Sequence, residues 1–161
     1  VTSLLAPNPG VLDNVSTFIG QGSAGDLQSV LTEADGLYYT VDSVPNAIGA
    51  VSAVQMEFVL PAPPTPYQAL GLHIVAHAPA GVTNMVHLYN NITGKWDAVK
   101  VSPMKGSDST IRFTVTNASK YVDANNTVQV LERAIAPQRL GGKPFTLSVD
   151  SGALFGYLRS Q

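Results

Sequence analysis

The chain contains no cysteine among its 161 residues, which removes disulfide bridges and thiolate metal sites from consideration. Charged residues make up only 12%, about half the usual share of a soluble domain. The net charge is -2 and no Lys/Arg run occurs, so the basic stripe needed by a nucleic-acid partner is missing. No stretch approaches the ~18–20 apolar residues of a membrane-crossing helix, so membrane insertion is not expected. No signal peptide is recognisable, and a first residue of Val1 rather than Met fits removal of a leader or initiator. A phosphate loop, a dinucleotide fingerprint and a Gly-x-Ser-x-Gly elbow are all lacking, which leaves no motif for an enzyme.

What is present is a period of two. Residues 51–60 set Val54, Met56, Phe58 and Leu60 on one face, and residues 69–78 do the same with Leu70, Leu72, Ile74 and Ala76. Residues 109–115 put Ile111, Phe113 and Val115 inward with Arg112 and Thr114 outward, and residues 144–150 put Phe145, Leu147 and Val149 inward. Residues 37–43, 84–90, 96–101 and 127–136 also read as strands, while residues 24–35 have room for one short helical turn. Alternation of this kind marks strands with one buried and one exposed face. With Gly, Pro and Asn breakers between them, the strands predict an all-β fold: a single antiparallel β-sandwich of jelly-roll type with eight to ten strands. Asn91 to Lys95 reads as a short hairpin loop with Gly94 at the position needing positive φ. Trp96, the only tryptophan, then opens the return strand, on one face with Ala98 and opposite to Asp97 and Val99. A Trp at such a place more often packs than binds, and Tyr89 across the turn is its one local aromatic companion.

The first 20 residues are apolar but broken by Pro7, Pro9 and Gly10. Leu4, Leu5, Val11, Leu12, Val15, Phe18 and Ile19 need a surface to cover. Two outcomes are open: a strand folded back onto its own sandwich, or an arm (residues 1–20) that leaves the sandwich domain (residues 21–161) and adds to a neighbour's sheet. Four Asn-x-Ser/Thr sequons start at Asn14, Asn91, Asn117 and Asn125. They read either as turn residues or as N-glycosylation sites of an exported protein.

From Asp26 to Leu154 the order of Asp35, Tyr38, Leu88, Tyr89, Asn90, Thr93, Trp96, Tyr121, Val122, Val130, Arg133, Val149 and Asp150 resembles an uncharacterised β-sandwich domain that recurs in large exported bacterial proteins. The resemblance implies an exported β-sandwich in a surface role, extracellular, on a cell surface or on a virion, and brings no catalytic residues with it. In that family the domain is usually an appendage of a longer chain. An apolar N-terminal arm on a chain standing alone therefore points to a self-standing structural subunit.

Three chemistries were tested against the residues. If residues 78–83 form a hairpin, His73 and His77 share a face with His87, and His77 with His87 become weak metal candidates without a third ligand. Cofactors are otherwise expected to be none, apart from a structural Ca²⁺ at an acidic turn near Asp35 or Asp123. Asp26, Glu33, Asp35 and Asp42 cluster in sequence but sit in turn contexts rather than as paired acids. Glu57, Arg112, Glu132 and Arg133 fall within strands; an inward Glu132 would need a partner such as an arginine. The leading expectation is a non-enzymatic subunit of an extracellular filament or sheath, or a virion decoration, whose partners are copies of itself or a neighbouring surface or capsid protein. The alternative is a jelly-roll carbohydrate-binding module that uses Tyr89 and Trp96, from a wider set of Tyr38, Tyr39, Tyr67 and Tyr121, on glycans.

Overall fold

A computed structural model of the chain describes residues 7–31, 36–138 and 141–158. Its strands are β1 (Asn8–Pro9), β2 (Val11–Ile19), β3 (Gln21–Ala24), β4 (Tyr39–Asp42), β5 (Val44–Asn46), β6 (Gly49–Val59), β7 (Ala69–His77), β8 (Thr83–Asn90), β9 (Lys95–Pro103), β10 (Ser109–Thr116), β11 (Thr127–Pro137) and β12 (Thr146–Tyr157). One helical turn, α1 (Gln28–Leu31), is capped by Asp26, whose Oδ1 accepts from the backbone N–H of Gln28 at 3.0 Å. The expected eight to ten strands become twelve among the described residues because short pieces such as β1, β3 and β5 also pair.

The strands form two antiparallel sheets, a β-sandwich of jelly-roll type. The first runs β2-β6-β11-β8-β9, with β5 continuing along β6 beside β2. The second runs β10-β7-β12-β4-β3, with β1 also on β12. Between them lie Phe58, Met56 and Val54 of β6, Leu70 and Ile74 of β7, Leu88 of β8, and Leu147 and Leu154 of β12, each under 2% exposed. Apart from Leu154, these lie on the faces that the alternation assigns to the core. Burying each such side chain contributes about 1.5–3 kcal/mol. Gly156 of β12 leaves room for the Tyr67 ring: a Cβ there would stand 2.5 Å from it.

β2 settles the fate of residues 11–19. It pairs with β6 from Val11 opposite Val59 to Ile19 opposite Ala53, with two register shifts. Leu12 is 6% exposed and Val15 packs against the core. Of the two outcomes left open for residues 11–19, the edge strand of its own sandwich is the one seen: Leu12 and Val15 turn to the core, while Val11 and Phe18 stay exposed. Asn8 and Pro9 likewise pair with β12. Leu4 and Leu5 lie outside the described residues.

Two other expectations need correction. β7 and β8 are not a hairpin: β7 pairs with β10 and β12, whereas β8 pairs with β11 and β9. The connection between them changes sheets, and its Ala78 and Val82 are buried. His77 and His87 therefore belong to different sheets, and no group of three or more metal-ligating side chains occurs among the described residues. Glu132 does point inward, at 0% exposure, but both its carboxylate oxygens lack a hydrogen-bond partner. Among the described residues no arginine bonds it; burial raises its pKa well above the ordinary 4.5. Asn84, nearby on the same face of β8, leaves its Oδ1 without a partner too.

Candidate binding site on the outer face of the first sheet

Directly opposed residues of an antiparallel ladder share a face. The register therefore names the residues on the outer side of the first sheet. Ser16 stands opposite Gln55 on β6. Gln55 stands opposite Leu131, and Leu131 opposite His87, which faces Ala98. One row along, Asn14 faces Glu57 and Glu57 faces Gln129, while Tyr89 faces Trp96. One row the other way, Ile19 faces Ala53, Ala53 faces Arg133, and Arg133 faces Met85.

Phe18 sits at the second register shift of β2, beyond Thr17, whose hydroxyl turns inward to bond the Tyr39 hydroxyl at 3.0 Å. The Phe18 ring meets the Trp96 ring edge-on at 5.7 Å between centroids, and Trp96 meets Tyr89 edge-on at 5.3 Å. Such pairs each add about 0.5–1.5 kcal/mol beyond their buried area. Phe18 and Trp96 belong to opposite edges of this sheet, four strand steps apart. In a flat sheet that is about 19 Å, too wide for side chains standing off the surface to touch. The sheet must therefore curl toward this face into a trough, which the touching Phe18 and Trp96 rings bridge, with Tyr89 beside them.

The trough floor is polar and sheltered. Gln55 donates from Nε2 to Gln129 Oε1 at 3.1 Å. Leu131 and His87 are 3% and 7% exposed although they lie on the side away from the core. His87 Nδ1 and Arg133 Nε are buried without a hydrogen-bond partner; a buried polar atom left so costs about 1–3 kcal/mol. Burial lowers the His87 pKa, the Arg133 charge lowers it further, and the Met85 backbone acts in the opposite direction.

The hairpin carrying Tyr89 and Trp96 is braced from beneath. Asn90 Oδ1 accepts from the backbone N–H groups of Ile92 and Thr93 at 2.9 and 3.2 Å, and its Nδ2 donates to Asp97 Oδ2 at 3.0 Å. The Tyr121 hydroxyl donates to the same Asp97 oxygen at 3.0 Å. These two bonds hold the Asp97 pKa below the ordinary carboxylate value. Tyr121 is pushed up to about 12 by burial, the bond to Asp97 and that carboxylate's charge. Gly94 has φ of 69°, the positive value the turn requires.

The remaining sequence candidates disperse. Tyr67 and Tyr121 are buried, Tyr39 packs against the core, and Tyr38 donates to Asp108 at 3.0 Å. Of the wider aromatic set only Tyr89 and Trp96 stay together, and Phe18 joins them. Asp123 Oδ1 is engaged by the backbone N–H groups of Asn125 and Thr127 at 2.8 and 2.9 Å, an Asx-type turn. Asp35 and Glu33 lie outside the described residues. Asn14, Asn91, Asn117 and Asn125 are all exposed. On the second sheet, His73 and Arg112 stand opposite one another and approach to 3.5 Å, at an open depression of about 290 Å³ shared with Thr114, Phe155 and Tyr157.

No family model matches the chain, and no curated relative does. Solved structures with a similar fold include TmCBM61 in complex with β-1,4-galactotriose, at 12% identity and TM-score 0.44, covering 79% of this chain and 74% of that one. A structure described as CBM4 is 16% identical with TM-score 0.49, covering 86% and 93%. The N-terminal cellulose-binding domain of Cellulomonas fimi β-1,4-glucanase C is 16% identical with TM-score 0.44, covering 92% and 88%. At this level of likeness the reading of the site rests on the chain's own geometry.

Proposed function

We propose that this protein is a non-catalytic, extracellular carbohydrate-binding domain whose glycan lies in the trough of the first sheet, against the contiguous Phe18–Trp96–Tyr89 ring cluster. The observation that carries this reading is the ring contact between Phe18 and Trp96 across the two edges of one sheet, above a floor of Gln55, Gln129 and Glu57. Sugars present apolar C–H faces and a rim of hydroxyls. Aromatic rings suit the former, and amide and carboxylate side chains suit the latter. The assembly reading loses one of its motives, the unplaced apolar residues 11–19, once β2 is paired within its own sandwich.

The single tryptophan makes the test direct, because its fluorescence reports the site itself. On a panel of soluble polysaccharides, at least one should shift Trp96 emission and retard the protein in affinity electrophoresis. Trp96→Ala and Phe18→Ala should each weaken that binding about tenfold or more, as truncation of an aromatic anchor does. A folded protein that binds no member of the panel would refute the proposal.

A further inference from the structure

We infer that the trough selects a glycan bearing carboxylate groups, a uronic-acid polymer, with the Arg133 guanidinium as the group that receives the acid. This rests on the proposed glycan site and adds the ligand class. The charges on the trough face are separated. Glu57 lies in the row of Gln129, whereas Arg133 lies two rows away opposite Ala53 and Met85. Arg133 is half-buried, its Nε has no hydrogen-bond partner, and it stands diagonal to His87, whose Nδ1 is equally unpartnered at 7% exposure. The guanidinium fork matches a carboxylate with two parallel N–H···O bonds. A neutral sugar has no acceptor that uses both prongs with the same charge assistance. The acidic Glu57 end would receive hydroxyl donors and turn away a second carboxylate, which fixes the direction in which the polymer lies.

The test compares polygalacturonate with the same polymer after carboxyl reduction, and with dextran sulfate as a general polyanion, by calorimetry in 150 mM salt. The expected result is binding of polygalacturonate at least tenfold tighter than of either other polymer. Arg133→Gln should lose about tenfold for polygalacturonate, with Arg133→Lys regaining less than half of the binding free energy because it lacks the fork. Arg112→Gln, on the opposite sheet, is the control and should bind as the parent does. Equal binding of the acidic and the reduced polymer, abolished by Trp96→Ala, would overturn the inference and leave the glycan site standing. Dextran sulfate binding as well as polygalacturonate would also overturn it, reducing the effect to bulk charge. Binding of none of these or of any neutral polysaccharide would overturn both. Far-ultraviolet circular dichroism and melting of each variant separate lost folding from lost binding.

Discussion

Replacing Glu132 by Gln should stabilise the protein at neutral pH and leave it almost unchanged at acid pH. The side chain is 0% exposed with both oxygens unpartnered, and its pKa in the fold lies well above the ordinary 4.5. In the unfolded chain the group releases its proton as the pH rises past about 4.5, while the folded protein retains it. The folded state then binds more protons than the unfolded one, so stability falls with rising pH until the folded pKa is reached. The slope is about 1.4 kcal/mol per pH unit. Between the unfolded and the folded pKa Glu132→Gln escapes that loss, because an amide does not titrate. For a chain of this length each such 1.4 kcal/mol corresponds to about 3–6 °C in Tm. Urea unfolding and thermal melts of the parent and Glu132→Gln should be run at pH 4.5, 5.5, 6.5 and 7.5. The difference between the two proteins should be near zero at pH 4.5 and grow with pH; other titrating groups cancel in the subtraction. A difference constant across that range would mean that Glu132 titrates normally in the fold, and the buried neutral acid would be refuted.

Further predictions follow from specific contacts. Tyr121→Phe removes one of the two bonds that depress the Asp97 pKa, so the Asp97 value should rise toward normal in a carboxylate NMR titration. Because a depressed carboxylate stabilises above its unfolded pKa and fades as pH falls through the folded one, Tyr121→Phe should also unfold less steeply in acid than the parent. Gly156→Ala places a Cβ 2.5 Å from the Tyr67 ring and should cost about 1–3 kcal/mol, seen as a lower urea midpoint. Phe58→Ala in the middle of the core should cost about 3–5 kcal/mol, a large part of a typical domain's stability. Phe18→Ala removes one of the two rings against Trp96, and the emission maximum should move to longer wavelength without ligand.

Strand positions were legible because alternation is local. The core faces of β6, β7 and β10 and the Asn91–Lys95 hairpin follow from spacing alone, and Trp96 and Tyr89 face each other as the hairpin requires. Sheet membership was not legible in the same way. The segment after His77 carries Pro79 and Gly81 like a turn, yet its buried Ala78 and Val82 take the chain over to the other sheet. The second half of β12, with Gly152 and Gly156, lacks a plain alternation and was read as ending at residue 150, six residues before Gly156. The trough was legible only by half. Phe18 looked like part of an arm, since nothing near it in sequence announces β9 as its neighbour. Gln55, Gln129 and Arg133 come together only through the β6–β11 ladder.

The place of β12 has a consequence for how the chain is made. The last strand in sequence is an interior strand, bonded to β7 on one side and to β4 and β1 on the other. The trough sheet uses nothing beyond Pro137, so all its strands are available to a nascent chain before β12 has been synthesised. Until β12 arrives, β7 has only β10 beside it, and the apolar faces of both sheets lack their common cover. Pairings at such long sequence separation form slowly, and partly built sheets with free edges aggregate. Synthesis that stops before residue 146 should therefore yield insoluble chains even though every residue of the trough has been made.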